Sequence, residues 1–344
     1  MSKHFFVTGG AGFIGVNCVS RLIKNGERVT IFDNLSRPGA PKNLAWLEEQ
    51  FGKDSFNLII GDIEDASLLA EAAQDADVII HLAAQVAVTT SVHDPRQDFE
   101  ANALGTFNLL EAARLSGRAP IVLYASTNKV YGEMEEVPIV EEETRYRYKQ
   151  LKNGIPESYP LDFHSPYGCS KGAGDQYVRD YARIYDLPTV VFRQSTIYGP
   201  RQFGIEDQGW MAWLTIAAVM DKPITIYGDG KQVRDMLFVD DLIDAYLAAV
   251  ERIDIAKGQV YNIGGGPENT ISIWREFGPA LEQLMAREIP VLWGVWRPGD
   301  QRVYISDIKK ARDELGWQPK VELSRGINLL FNWVVRHKKL FEIP

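Results

Sequence analysis

The segment FFVTGGAGFIG, residues 5–15, decides the fold of this chain. Its apolar start predicts a short strand, its glycines predict a tight turn, and an amphipathic pattern after them predicts a helix. Gly9 and Gly12 allow the turn and a close backbone approach, and Gly15 allows the helix to pack on the strand. The helix N-terminus presents unpaired N–H groups and a partial positive charge. We therefore expect it to bind the pyrophosphate of a dinucleotide.

An acidic residue follows at the end of the second predicted strand. Asp33 lies 18 positions after Gly15, where a carboxylate accepts hydrogen bonds from ribose hydroxyls and repels a 2′-phosphate. NAD is therefore the expected cofactor, and Arg37 leaves NADP as an alternative. The competing interpretation is a purely structural turn with Asp33 as a cap, but the strand–turn–helix context favours the cofactor site.

Short apolar runs alternate with longer amphipathic stretches over the first two hundred residues. This alternation predicts an α/β fold, a doubly wound parallel sheet of the Rossmann type with crossover helices on both faces. The predicted strands are Phe5–Thr8, Arg28–Phe32, Asn57–Ile60, Val78–Leu82, Ile121–Ala125 and Thr189–Arg193, and the predicted helices include Asn102–Leu115 and Ser170–Tyr185.

The chain is expected to divide into two parts. Residues 1–200 form the dinucleotide-binding domain, with a long, charged, proline-interrupted insertion at 133–164 that we expect to be functional or mobile. Residues 201–344 form a smaller, mainly substrate-binding lobe, some segments of which return to the first domain. Such a lobe covers the carboxyl edge of the sheet, where doubly wound folds bind ligands.

The composition excludes several classes of function. The 344 residues are 45% hydrophobic and 24% charged with a formal net charge of −9, so a nucleic-acid partner is not expected. No apolar stretch predicts a signal peptide or a membrane span. Cys18 and Cys169 do not suggest a disulfide framework. We expect a cytoplasmic protein without a metal site.

A phenol and an amine define the expected catalytic centre. Tyr167 and Lys171 are four residues apart and share one face of a helix. A free phenol titrates near pH ~10, and a nearby ammonium and a positively charged nicotinamide both favour the phenolate. This pair alone is more often a surface pair. Its partner is Thr127, which ends the fifth strand beside that helix and is expected to share a proton with Tyr167 and a substrate hydroxyl; alone, Ser126 and Thr127 also fit a turn.

These residues together resemble the extended short-chain dehydrogenase/reductase superfamily, in its NAD-dependent epimerase/dehydratase branch, over roughly residues 4–320. Supporting segments are YGPRQ (198–202), GDGKQVRD (228–235), YNIGG (261–265) and RPGD (297–300). The resemblance implies that Arg234 and Arg297 bind the diphosphate of a nucleotide sugar. A planar guanidinium suits that role because it offers two donors to phosphate oxygens.

The site residues implied by the motifs and by the resemblance lie mostly at strand ends. Asp62 is placed to reach adenine, and His81 is expected to be structural. The residues expected to contact NAD are Gly9, Gly12, Phe13, Ile14, Asp33, Asn34, Arg37, Asp62, Ile63, Leu82, Ala83, Ala84, Gln85, Ser126, Tyr167, Lys171 and Gln194. Those expected to contact the substrate are Gln85, Asn128, Thr196, Arg201, Arg234 and Arg297.

The residues after Thr127 distinguish the reactions of this superfamily. Its dehydratases carry Asp-Glu there, whereas this chain has Asn128 and Lys129, neither of which is a carboxylic acid, so dehydration is not expected. The runs STNKVYG (126–132) and DFHSPYGCSKG (162–172) resemble the CDP-tyvelose (CDP-paratose) 2-epimerase subfamily. Gln194 departs from that subfamily, in which histidine is expected, and this affects the expected sugar specificity.

The resemblance implies a redox-neutral isomerase that inverts C2 of a CDP-hexose through a keto sugar. A 4-epimerase acting on a UDP- or CDP-sugar shares every catalytic residue named and is the main alternative. A non-catalytic NAD-binding sensor or scaffold is the minor one. The helices Asn102–Leu115 and Ser170–Tyr185 match those that form the subunit interface in the superfamily, so a homodimer or homotetramer is expected.

Overall fold

The computed structural model describes residues 2–297 and 300–342. Its strands alternate with helices along most of the chain. In chain order the strands are β1 (His4–Thr8), β2 (Arg28–Asp33), β3 (Asn57–Ile60), β4 (Val78–His81), β5 (Ile121–Thr127), β6 (Ile139–Glu141), β7 (Tyr146–Tyr148), β8 (Thr189–Gln194), β9 (Thr196–Tyr198), β10 (Thr225–Tyr227), β11 (Val233–Phe238), β12 (Val260–Ile263), β13 (Thr270–Ser272), β14 (Leu292–Gly294) and β15 (Val303–Tyr304).

Seven parallel strands form the central sheet in the order β12-β8-β5-β4-β1-β2-β3. The order reverses between β1 and β4, and such a reversal opens a crevice at the carboxyl ends of the strands. Strands β1, β5 and β8 are buried along nearly their whole length, as expected of parallel strands covered on both faces. The predicted doubly wound α/β fold is confirmed.

The α-helices of the described residues cover both faces of this sheet and also form part of the second half of the chain. In chain order they are α1 (Phe13–Lys24), α2 (Ala40–Phe51), α3 (Ala66–Ala73), α4 (Val88–His93), α5 (Pro95–Phe99), α6 (Gly105–Leu115), α7 (Ser165–Tyr185), α8 (Trp210–Val219), α9 (Val239–Glu251), α10 (Ile253–Ala256), α11 (Phe277–Met285), α12 (Lys309–Leu315) and α13 (Leu323–Arg336). Helices α1 and α9 contribute to one apolar core, and α3, α6 and α7 to the core on the other face. Within the described ranges, no helix combines the length and the apolar character needed to cross a membrane.

Two helices differ from their predicted bounds. The helix predicted from Asn102 is an α-helix only from Gly105, because a π-helical turn, Glu100–Leu104, precedes it. Helix α7 begins five residues earlier than predicted, at Ser165, with a proline in its first turn. Proline is tolerated there because the first N–H groups of a helix have no intrahelical acceptor.

The insertion at 133–164 is more ordered than its composition suggests. Strands β6 and β7 pair as an antiparallel hairpin inside it. Tyr146 and Tyr148 on β7 are buried in a third apolar cluster, together with Val233 of β11 and Tyr304 of β15. The insertion therefore packs on the second half of the chain, and part of it forms a regular hairpin.

The second half of the chain builds smaller sheets and also rejoins the large one. Strand β11 pairs with β9 and β15 in parallel and with β13 in antiparallel orientation, and β10 pairs with β14. Strand β12, by contrast, forms an edge of the central sheet next to β8.

A buried ion pair ties α7 to the sheet. Both oxygens of Asp175 on α7 accept hydrogen bonds from Arg193 on β8, from Nε at 2.9 Å and from a terminal nitrogen at 3.0 Å. Both side chains are almost fully excluded from solvent. Ser126 at the end of β5 also donates to this carboxylate, at 2.8 Å. The contacts fix α7 relative to the ends of β5 and β8.

We predict that Arg193→Met lowers the free energy of unfolding by about 3–5 kcal/mol, because it leaves the Asp175 charge buried without its partner. Chemical denaturation followed by circular dichroism measures this. Arg96→Met is the matched control, since the Arg96–Glu100 pair is exposed and such pairs contribute little. Equal losses in the two variants would contradict the role given to the buried pair.

Candidate active site

The glycine turn forms a close-fitting cradle between β1 and α1. Gly9 adopts a positive φ of 68°, and its N–H donates to the carbonyl of Phe32 at 2.8 Å. A Cβ at Gly9 would lie 2.8 Å from the nitrogen of Ala83, and one at Gly15 would lie 2.2 Å from the carbonyl oxygen of Gly9. Side chains are therefore excluded here. No side chain caps the start of α1, which leaves this N-terminus suited to a pyrophosphate.

Asp33 lies beside the turn at the end of β2. Its buried carboxylate accepts hydrogen bonds from the N–H groups of Ala11 at 3.0 Å and Leu35 at 2.8 Å. Burial raises the pKa of Asp33, while these and other backbone hydrogen bonds oppose the shift. Next to it, the amide of Asn34 donates to Asp62 at 2.7 Å, so the acidic ends of β2 and β3 face the same crevice as the turn. A cradle closed to side chains with a carboxylate at its rim fits a dinucleotide.

The segment after β4 lies at the same carboxyl edge of the sheet as the glycine turn. The N–H groups of Leu82 and Ala83 both donate to the hydroxyl of Thr8 at 3.2 Å. His81 contacts the hydroxyls of Thr8 and Thr106 through its two ring nitrogens. Burial, followed by the charge of Lys171, lowers the pKa of His81 to about 3, so the ring is neutral. This is the environment of a structural histidine.

The predicted catalytic residues meet at the ends of β5 and α7. Tyr167 and Lys171 are buried on α7, one helical turn apart, and Thr127 is the last residue of β5. The Lys171 ammonium lies 4.3 Å from the centroid of the Tyr124 ring. The Thr127 hydroxyl hydrogen bonds with Tyr167 and accepts from the N–H of Lys129 at 3.2 Å. The structure therefore brings the three predicted groups together.

Desolvation dominates the ionisation of this centre. Burial raises the pKa of Tyr167 to about 12, and the hydrogen bond with Thr127 and the charge of Arg37 oppose this rise. Burial also lowers the pKa of Lys171 to about 7, against the charges of Asp175 and Asp98. The predicted joint effect of the Lys171 ammonium and a charged nicotinamide on the pKa of Tyr167 stays a prediction. The opposing cation is Arg37, whose side chain reaches Gln208 at 2.9 Å.

One buried residue of the site, Asp98, was missed by the sequence analysis. Asp98 on α5 accepts hydrogen bonds from Ser170 at 2.5 Å and from Asn102 at 3.1 Å. Asp98 also accepts from the side chain of Gln85 at 3.2 Å. A carboxylate buried by the fold has no local signature, because its neighbours in sequence, Gln97 and Phe99, are exposed.

A second cluster of charges lies where substrate contacts are predicted. A terminal nitrogen of Arg234 on β11 lies 2.6 Å from Asp300. Burial, followed by the charge of Arg234, lowers the pKa of the Lys129 amine to about 8. Arg297 forms an ion pair with Asp207 at 3.0 Å, and its guanidinium lies 4.0 Å from the centroid of the Tyr227 ring. Residues 298 and 299 of the RPGD segment are outside the described residues.

Two residues predicted to contact ligands have side chains that are engaged within the protein. The buried guanidinium of Arg201 lies between the rings of Trp46 on α2 and Trp333 on α13, at 4.3 Å and 5.8 Å, and not with the Arg234 cluster. The Gln194 amide donates to the phenol of Tyr246 at 2.5 Å in the core on the α9 face. Their side chains are engaged elsewhere because aromatic partners from distant segments enclose them.

The Ser126 hydroxyl is likewise turned inward, since it donates to the buried Asp175 carboxylate. The other predicted residues lie at or just beyond the ends of strands or at the start of α1, and Ile63 is buried in the core that α6 helps to form. Phe13 and Ile14 start α1, Ile63 and Ala84 follow β3 and β4, and Thr196 begins β9. Asn128 accepts a hydrogen bond from Thr127 at 3.3 Å.

The fold and the site define a Rossmann-type protein with a glycine turn suited to a dinucleotide and a buried cluster of Thr127, Tyr167 and Lys171. A family model described as GDP-mannose 4,6 dehydratase matches residues 6–330. The chain belongs to this family, which confirms the predicted membership of the NAD-dependent epimerase/dehydratase branch. The chain is accordingly an NAD-dependent enzyme of nucleotide sugars.

Individual relatives agree with this assignment. The chain is 44% identical to a CDP-paratose 2-epimerase of Salmonella typhi, over 95% of this chain and 98% of that protein. A structure of UDP-glucose 4-epimerase with UDP-glucose from Thermotoga maritima is 31% identical, with a TM-score of 0.83 over 98% of this chain and 100% of that one. A structure of UDP-glucuronic acid 4-epimerase from Bacillus cereus, in complex with UDP-glucuronic acid and NAD, is 30% identical, with a TM-score of 0.81 over 97% and 99%.

Proposed function

We propose that this protein is an NAD-dependent epimerase that inverts C2 of a CDP-hexose, of the CDP-paratose/CDP-tyvelose or CDP-glucose type, by transient oxidation to a keto sugar. The main support for this proposal is the buried centre formed by Thr127, Tyr167 and Lys171. In the sequence, Thr127 is followed by Asn128 and Lys129 and not by two carboxylic acids. The 44% identity with a CDP-paratose 2-epimerase supports the choice of base and carbon.

The glycine cradle, Asp33 and the segment after β4 are the groups that would hold the dinucleotide. When bound, NAD supplies a hydride acceptor and donor, and its charged nicotinamide favours a nearby phenolate. Tyr167 takes the proton of the sugar hydroxyl as a general base and later returns it as a general acid. Thr127 orients that proton through its hydrogen bond to Tyr167, and Lys171 acts in its protonated form.

Elimination of water is not supported by the groups beside Thr127. A dehydration needs an acid for the leaving hydroxyl and a base for the proton on carbon. Asn128 has no acid–base function and is bonded to Thr127. Lys129 is an amine next to Arg234 and Asp300. A reaction confined to one carbon therefore fits this site better.

Inversion requires a substrate that is anchored at one end and free to turn at the other. Arg234 and Arg297 are proposed to anchor the diphosphate. Each guanidinium already forms an ion pair with an acidic side chain, Arg234 with Asp300 and Arg297 with Asp207. A diphosphate that displaces these carboxylates leaves them accessible to solvent, because the side chains of Asp300 and Asp207 are 21% and 43% exposed. The sugar then remains free to present either face.

A 4-epimerase of a UDP- or CDP-sugar is the second candidate. The likeness to UDP-glucose 4-epimerase of Thermotoga maritima, with a TM-score of 0.83, favours it. Both reactions use the same proton shuttle, so the catalytic centre supports the two equally. A non-catalytic sensor or scaffold receives no support from a chain that keeps Tyr167 and Lys171 buried and in place.

We also infer a homodimer or homotetramer in the cytoplasm. Apolar side chains are exposed on the surface formed by α6, α7 and the π-helical turn before them, as is common at subunit contacts. They are Leu104, Phe107, Leu115, Tyr177, Ile184 and Tyr185. Neither Cys18 nor Cys169 is paired, which is usual in a reducing compartment.

A panel of nucleotide sugars tests the proposed reaction. Incubation with CDP-paratose, CDP-glucose and UDP-glucose, followed by NMR of the products, is expected to show inversion at C2 of a CDP-sugar without added NAD. Inversion at C4 would establish the second candidate instead. Failure of every sugar nucleotide to react or bind would contradict both.

We predict that Tyr167→Phe lowers kcat by about 10²–10⁴-fold, because the general base is lost while the ring still fills its buried position. The variant should retain bound NAD, measured after acid release from the purified protein. Tyr177→Phe on the same helix is the matched control: it keeps the aromatic ring on the proposed subunit surface and should leave kcat unchanged. Near wild-type turnover by Tyr167→Phe would overturn the assigned role.

A further inference from the structure

Asp98 is a buried carboxylate that the proton shuttle described above does not use. It belongs to the short helix α5, where its neighbours Gln97 and Phe99 are exposed. One of its oxygens accepts from Ser170 at 2.5 Å. The other accepts from Asn102 at 3.1 Å and from Gln85 at 3.2 Å.

The partners of Asp98 are themselves joined to one another. The Asn102 amide donates to the hydroxyl of Ser170 and to the carbonyl of Gln85, both at 3.0 Å. Ser170 lies on α7 between the two catalytic residues of that helix, whereas Gln85 belongs to the segment after β4. The cluster therefore fixes the rotation and height of α7 relative to the predicted cofactor edge.

The charge of Asp98 also acts on the catalytic pair. It raises the pKa of Tyr167 and supports the protonated form of Lys171. The other groups around Lys171 are Asp175 on the same helix, His81 on β4 and Tyr124 on β5.

Neither the imidazole of His81 nor the phenol of Tyr124 carries a charge near neutral pH. Burial lowers the pKa of His81 to about 3 and raises that of Tyr124 well above its usual value. Arg37 is the cation that acts on Tyr167. Asp98 and Asp175 are thus the two anions that support the Lys171 ammonium.

We propose that Asp98 is a positioning residue, which holds Tyr167 and Lys171 in place for proton transfer and keeps a negative charge beside them. This inference rests on the proposed function, because it assigns Asp98 to the same proton shuttle. It applies equally to inversion at C2 and at C4, since both use that shuttle.

The test is the pH profile of kcat in Asp98→Asn, which keeps the shape of the side chain and removes its charge. We expect kcat to fall by about 10–100-fold, as is typical when a partner of a site residue is lost, with bound NAD retained. Removal of the anion lowers the pKa of Tyr167, so the phenolate forms at lower pH. It also lowers the pKa of Lys171, so the ammonium is lost at lower pH. Both limbs of the profile should therefore move to lower pH.

Two further variants separate positioning from a merely structural role. Asp98→Glu keeps the charge and should keep the wild-type pH profile, even where its kcat is reduced. Glu100→Gln removes a carboxylate two positions away that pairs with Arg96, and it should match the wild type in kcat and in profile. A lower kcat for Asp98→Asn with an unmoved pH profile would overturn the proposal, and so would unchanged kinetics.

A measurement without substrate distinguishes failure of this inference from failure of the proposed function. The phenolate absorbance of Tyr167 is titrated in the NAD-loaded enzyme as the difference from Tyr167→Phe, with and without Asp98→Asn. A downward shift of this titration supports the role of Asp98 even if no nucleotide sugar reacts. An unchanged titration overturns it, whatever sugar the enzyme accepts.

Discussion

The site depends on the burial of one turn of helix α7, which keeps water away from Tyr167 and Lys171. Burial is the largest cause that keeps Tyr167 neutral, with a pKa of about 12, and that weakens the Lys171 ammonium, with a pKa of about 7. A phenol in that state is a poor base near neutral pH. The surrounding groups act against this penalty: Thr127 by its hydrogen bond, Arg37 as a cation, and Asp98 by its support of Lys171. The positive charge of an oxidised nicotinamide acts in the same direction as Arg37.

This arrangement suits a reaction with no net oxidation. A base that becomes effective only beside the oxidised cofactor does not deprotonate other groups when that cofactor is reduced. The proposed anchor for the substrate is in the second half of the chain, where Arg234 and Arg297 already hold carboxylates. An anchor on the diphosphate would let the sugar turn while the nucleotide stays bound.

Much of this was predictable from the sequence, for physical reasons. The glycine turn leaves so little room that only glycine fits, and buried parallel strands need apolar runs, so both leave local patterns. The spacing of Tyr167 and Lys171 is fixed by the helix itself. By contrast, the cage of rings around Arg201 and the burial of Asp98 depend on segments far apart in sequence. The same holds for the 133–164 insertion, whose hairpin is ordered by contacts with β11 and β15.

The most direct test of the account follows the hydrogen on the inverted carbon. A CDP-hexose carrying deuterium at that carbon is converted in ordinary water without added NAD, and the product is analysed by NMR and mass spectrometry. Transfer to the bound cofactor and back within one enzyme molecule predicts that the deuterium remains on the inverted carbon. Replacement of the deuterium by solvent hydrogen would contradict the account, because it would show that the carbon loses a proton and not a hydride.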